Sequence, residues 1–122
     1  MSAAVEYMKS KAFKCIHLSG YSFGAWVNAR ALQGNLTTDG ATMVAPPVAF
    51  VDFSSVSRLP ALFAVIAGER DEFAPPRQLR PQLDRWNPDA FLDIIQDADH
   101  FFFGFLAEVT RRLAAHLRAQ QQ

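Results

Sequence analysis

A single cysteine among 122 residues rules out an internal disulfide, so this fold cannot depend on covalent cross-links. Cys15 sits in an apolar stretch and reads as a buried filler of a strand, not as a reactive thiol. Glu6 and Lys9 interrupt the N-terminal residues, which therefore lack the apolar core of a signal peptide, and the expected compartment is the cytoplasm. Neither sign of charge is in excess. Twelve Lys+Arg balance 12 Asp+Glu, which leaves no basic surplus for a nucleic-acid backbone and no charged run for a membrane surface. No apolar run approaches the roughly 18 residues that a membrane span requires. Three scattered histidines and one cysteine show no metal-ligand spacing, and no glycine-rich phosphate loop is present, so no metal or cofactor is expected. Trp26 and the Phe101-Phe102-Phe103 run lack basic interleaving, and read as core or pocket wall and not as a base-stacking platform.

What the chain does contain is apolar residues, half of its total, in segments of alternating type. The length suits one domain, residues 1–122. Residues 2–11 have helical character, with Ala3, Ala4, Tyr7 and Met8 able to share a face. A strand is predicted over 13–19, a helix over 23–33 ending at Gly34, and a second strand over 41–45, stopped by Pro46-Pro47. Residues 48–58 show no period. The run Ala61–Ala67, ended by Gly68, is apolar on both faces, as in a parallel strand covered by helices on either side. Pro75-Pro76 opens a helix to about Trp86, a strand follows over 91–95, and a long helix is predicted over about 102–118 with Leu106, Val109, Leu113 and Leu117 in register. Strands alternating with helices give an α/β fold: a mainly parallel sheet of about four strands flanked by helices.

Between the first strand and its helix stands Gly20-Tyr21-Ser22-Phe23-Gly24. A serine on a strand-to-helix turn projects its hydroxyl from the top of a sheet, and glycines at 20 and 24 are expected to spare that sharp turn two side-chain clashes. A serine hydroxyl needs a base to take its proton and a third group to orient the base. In an open α/β sheet such groups belong in loops beyond the carboxyl ends of the strands. Two loops qualify: Gly68-Glu69-Arg70-Asp71-Glu72-Phe73-Ala74-Pro75, and Gln96-Asp97-Ala98-Asp99-His100-Phe101-Phe102-Phe103-Gly104. His17, within a strand, and His116, within a helix, read as structural.

Together these segments resemble the α/β-hydrolase superfamily, in which Gly-x-Ser-x-Gly is the nucleophile elbow and the order is serine, acid, histidine. The resemblance makes Ser22 the nucleophile, Asp71 the orienting acid and His100 the base. Glu69 and Glu72 fit the acid position less well, and Asp97 and Asp99 lie so near His100 that capping or solvation is their expected role. The backbone N–H of Phe23 would supply half of an oxyanion site. The substrate implied is a small molecule with a carboxylic ester, thioester or similar acyl bond.

The resemblance covers nearly the whole chain but only the second half of the family's fold. Two expectations follow from it. The loop that carries the second oxyanion donor falls outside the resemblance, so an isolated chain would be a weak catalyst. The strand at 13–19, central in the family, would present a free edge bearing Phe13, Ile16 and Leu18, and a homodimer or partner chain is expected to pair there. The rival reading is a non-catalytic interaction module, or one portion of a longer protein.

Overall fold

The computed structural model describes residues 2–11, 15–34 and 36–120. In chain order they form α1 (Ser2–Ser10), β1 (His17–Tyr21), α2 (Phe23–Gln33), β2 (Gly40–Val44), β3 (Leu62–Gly68), α3 (Pro76–Trp86), β4 (Phe91–Ile95) and α4 (Leu106–Gln120). The four strands make one sheet in the order β1-β2-β3-β4, every neighbouring pair parallel. The expected α/β architecture is therefore present. Because Tyr21 pairs with Val44, Val44 with Ile66 and Gly68 with Ile95, the strands end nearly level. The loops after β1, β3 and β4 thus emerge side by side.

Burial explains the arrangement. Every residue of β2 is buried, and every residue of β3 except the half-buried Phe63. Such strands are stable only with cover on both faces. Ala25 and Ala29 are fully buried and let α2 lie close to the sheet, while Leu79, Leu83 and Trp86 of α3 join Val65, Ile66 and Ile95 in the same core. A smaller cluster of Val5, Ile16, Leu18, Leu36 and Ala41 seats α1 beside β1. Helix α4 is tied to β4 by charge: Asp93 accepts hydrogen bonds from Arg112 and from His116 Nε2 (2.9 Å), and Arg112 also pairs with Glu108. His116 is structural, as expected. Among the described residues no helix is long and apolar enough to cross a membrane.

Several expectations need correction. The first strand begins at His17 and runs on to Tyr21; Cys15 and Ile16 precede it, and residues 13 and 14 lie outside the described residues. Cys15 is exposed, because it stands before the strand and not within it. Ile16 and Leu18 are buried against α1 and Leu36, so the free edge of β1 does not display them. On α1, Val5 faces the core, whereas Ala3, Ala4, Tyr7 and Met8 face solvent. The last helix starts at Leu106, later than expected. Phe102 (φ 55°) and Gly104 (φ 78°) adopt left-handed backbone, which a right-handed helix cannot contain.

Candidate active site

The elbow forms as its sequence requires. β1 ends at Tyr21, and Ser22 turns the chain into α2 with φ 55° and ψ −121°, a conformation that costs a non-glycine residue about 1–3 kcal/mol. The turn is held by the Ser22 N–H, which donates to the Val44 carbonyl at 2.8 Å, and by the Ala25 N–H, which donates to the Ser22 carbonyl at 2.9 Å. Gly20 is sterically obligatory: a Cβ there would lie 2.5 Å from the Asn28 side chain and 2.8 Å from the Gly24 backbone. Gly24 is not. A Cβ at that position would meet nothing within 4 Å, so the clash expected at both glycines occurs only at the first. The Phe23 N–H, at the first position of α2, has no intrahelical partner and lies beside Ser22.

The acid loop and the histidine loop are joined backbone to backbone. Glu69 N–H donates to the Ile95 carbonyl and Arg70 N–H to the Ala98 carbonyl, each at 2.9 Å. Gly68 permits this approach, since a Cβ there would fall 2.3 Å from the Ala98 oxygen. The zipper carries Asp71 (3% exposed) to His100 (5% exposed). Asp71 uses its two oxygens differently. Oδ1 accepts the Phe73 and Ala74 N–H groups, both at 2.8 Å, and Oδ2 accepts from His100 Nδ1 at 2.8 Å. It thus caps its own loop and holds the imidazole at once. With the proton on Nδ1, His100 Nε2 is free to accept from Ser22 Oγ, 2.8 Å away.

Ser22, Asp71 and His100 therefore come together, and the weighed alternatives do not join them. Glu69 accepts the Asp97 N–H at 2.9 Å, and Glu72 is exposed. Asp97 pairs with Arg70 at 3.1 Å, and Asp99 accepts the Phe101 N–H at 3.0 Å, in keeping with capping and solvation. Two neighbours were not apparent from sequence. Tyr21 Oη donates to the His100 carbonyl at 2.8 Å, and Phe73 sets its ring centroid 4.5 Å from that of His100. Their positions, beside the nucleophile and two residues after the acid, were the only available signal.

Exposed aromatic rings surround the pair. Phe50 (67% exposed) packs on Phe73, and Phe101 (55%) packs edge-on to His100. A cavity of about 270 Å³ borders His100 between Arg70, Phe73 and Phe101. A larger cavity, about 440 Å³, is lined by Leu36, Thr37, Asp39 and Pro60, which precede β2 and β3 at the opposite end of the sheet from Ser22. The smaller one is the relevant space, because it borders His100. Among the described residues no group of His, Cys, Asp or Glu is arranged to hold a metal ion.

No protein-family model and no curated protein matches the sequence, whereas solved structures do. An α/β serine hydrolase homologue from Coxiella burnetii is 26% identical, with TM-score 0.80 over 94% of this chain and 55% of its own. An α/β serine hydrolase without a lid from Xanthomonas campestris is 29% identical, with TM-score 0.79 over 96% of this chain and 53% of its own. A third structure, from Agrobacterium tumefaciens, is 24% identical and agrees in fold with TM-score 0.83, over 97% of this chain and 57% of its own. The chain spans about half the length of these neighbours. It carries the α/β-hydrolase fold over that half.

Proposed function

We propose that this chain is a serine hydrolase acting on a carboxylic ester or related acyl bond through Ser22, His100 and Asp71. The observation that carries this reading is the unbroken hydrogen-bond chain Ser22 Oγ, His100 Nε2, His100 Nδ1, Asp71 Oδ2. In the reaction, Ser22 Oγ attacks the carbonyl carbon while its proton passes to His100 Nε2. The resulting imidazolium is stabilised by the Asp71 carboxylate and then gives that proton to the leaving alcohol, thiol or amine as its bond to the acyl carbon breaks. Water, deprotonated in turn by His100, releases the acid and restores Ser22. The Phe23 N–H, at the positive end of α2, supports the oxyanion. No cofactor enters the chemistry. The connection between β2 and β3 (residues 45–61) packs Phe53, Val56 and Leu59 into the core, and one matched neighbour is described as lacking a lid, which favours a small substrate in an open site. Covalent capture of Ser22 by a fluorophosphonate tests the reading.

The free edge of β1 favours a second element of the proposal, that full activity needs another chain. The Ile16 carbonyl accepts the Asp39 N–H, and the Ser22 N–H donates to Val44, so residues 16 and 22 turn toward β2. By strand alternation His17, Ser19 and Tyr21 turn their backbone groups outward, where β1 has no neighbouring strand among the described residues. A second copy or a partner strand paired at this edge would stand beside Ser22 and could contribute a further oxyanion donor. A chain that never turns over, serving only as an interaction module, is the competing outcome.

A further inference from the structure

We propose that Tyr21 is a positioning residue for His100, fixing the base to the strand that presents the nucleophile. The inference rests on the hydrolase reading of Ser22 and His100 and assigns the role of a residue that reading leaves unused.

His100 stands in an irregular loop, flanked by left-handed backbone at Asp97 (φ 68°) and Phe102 (φ 55°). Asp71 fixes one ring nitrogen but exerts no hold on the loop's backbone at residue 100. Tyr21 does. Its hydroxyl donates to the His100 carbonyl at 2.8 Å, and its ring stacks on the imidazole with centroids 5.6 Å apart and planes 26° apart. Phe73 adds a second ring at 4.5 Å and 31°, and its own N–H holds Asp71 Oδ1. The imidazole is therefore held by Tyr21 through the elbow and by Phe73 through the acid loop. Since Tyr21 is bonded directly to Ser22, nucleophile and base share one mount, and loop motion that displaced His100 would have to break the tyrosine contact.

Packing alone does not account for Tyr21. Its side chain is 46% exposed, yet its hydroxyl is committed to a carbonyl 79 residues away. Partial burial, with the Asp71 and Asp99 carboxylates, holds the phenol above its ordinary value, so it remains a donor at neutral pH. A ring facing the imidazole also favours the cation formed when Ser22 gives up its proton.

Tyr21→Phe keeps the ring and removes the hydroxyl, whereas Tyr21→Leu removes both. The measurement is the saturation kinetics of fluorophosphonate labelling at Ser22, with the unfolding midpoint of each variant. Tyr21→Phe is expected to lower the maximal labelling rate about threefold to tenfold, the scale of one hydrogen bond, with half-saturation unchanged and an unfolding midpoint still well above the assay temperature. Tyr21→Leu should lower that rate further. Unchanged rates, or a change confined to half-saturation, would overturn the assignment, the latter making Tyr21 a wall of the binding site. If the parent chain is not labelled, the hydrolase reading fails, and the NMR signal of the His100 Nδ1 proton decides the separate question. Broadening or loss of that signal in Tyr21→Phe supports positioning by Tyr21, and an unchanged signal refutes it.

Discussion

Gly68 and Ala98 meet backbone to backbone, with so little space that a methyl group on Gly68 would lie 2.3 Å from the Ala98 carbonyl oxygen. This contact brings the loop after β3 against the loop after β4, and so brings Asp71 to His100. Gly68→Ala must part the two loops or strain them, at a cost of about 1–3 kcal/mol. We expect a lower denaturation midpoint and a larger proportional fall in Ser22 labelling, because the loops carry the acid and the base. A variant as stable and as reactive as the parent would show that the loops do not depend on this approach.

His17 gives the fold a pH dependence. Its ring is half-buried with Nε2 2.9 Å from Thr42 Oγ1, and burial lowers its pKa from 6.5, an effect that the nearby Gln120 side chain partly opposes. A histidine whose folded pKa is depressed binds protons more readily when unfolded. Its contribution to stability is therefore complete above about 6.5 and lost as pH falls toward the folded value. Urea midpoints measured from pH 8 to pH 5 should decline below pH 6.5, and the decline should be shallower in His17→Gln. Parallel curves for the two proteins would assign the pH dependence to other groups.

Proline at position 19 tests the open edge of β1. The Ser19 N–H points away from β2 by strand alternation, so Ser19→Pro removes a donor from the free side while sparing the existing ladder. Sedimentation velocity is expected to show concentration-dependent association of the parent chain, or its association with a partner, and a folded, monomeric Ser19→Pro variant. A parent that stays monomeric at high micromolar concentration and gains nothing from any added chain would remove the edge from the account.

Much of this was legible in the sequence, for physical reasons that differ by element. The short apolar run between Pro60 and Gly68 pointed to a doubly covered strand, and Pro76 and Trp86 bound α3 as their positions suggested. The order of Ser22, Asp71 and His100 was readable because each follows a strand. What local pattern could not supply was contact between distant segments. The role of Gly68 depends on Ala98, and that of Tyr21 on a carbonyl 79 residues away. Gly24 misled in the opposite direction, since its place in the motif suggested a clash that its surroundings do not contain. Phe102 suits a hydrophobic helical pattern yet adopts left-handed backbone, so α4 starts at Leu106 and not at about residue 102. Cys15 suits a strand by its apolar neighbours, but β1 begins only at His17, which leaves Cys15 exposed.

The most direct test of the central claim is fluorophosphonate labelling of the purified chain, followed by mass spectrometry of the Ser22 peptide. We expect one adduct, on Ser22, absent in Ser22→Ala and slowed about 10³-fold or more in His100→Ala, with Asp71→Asn also greatly slowed. A folded chain whose Ser22 is not labelled, or is labelled at the same rate without His100, would contradict the account.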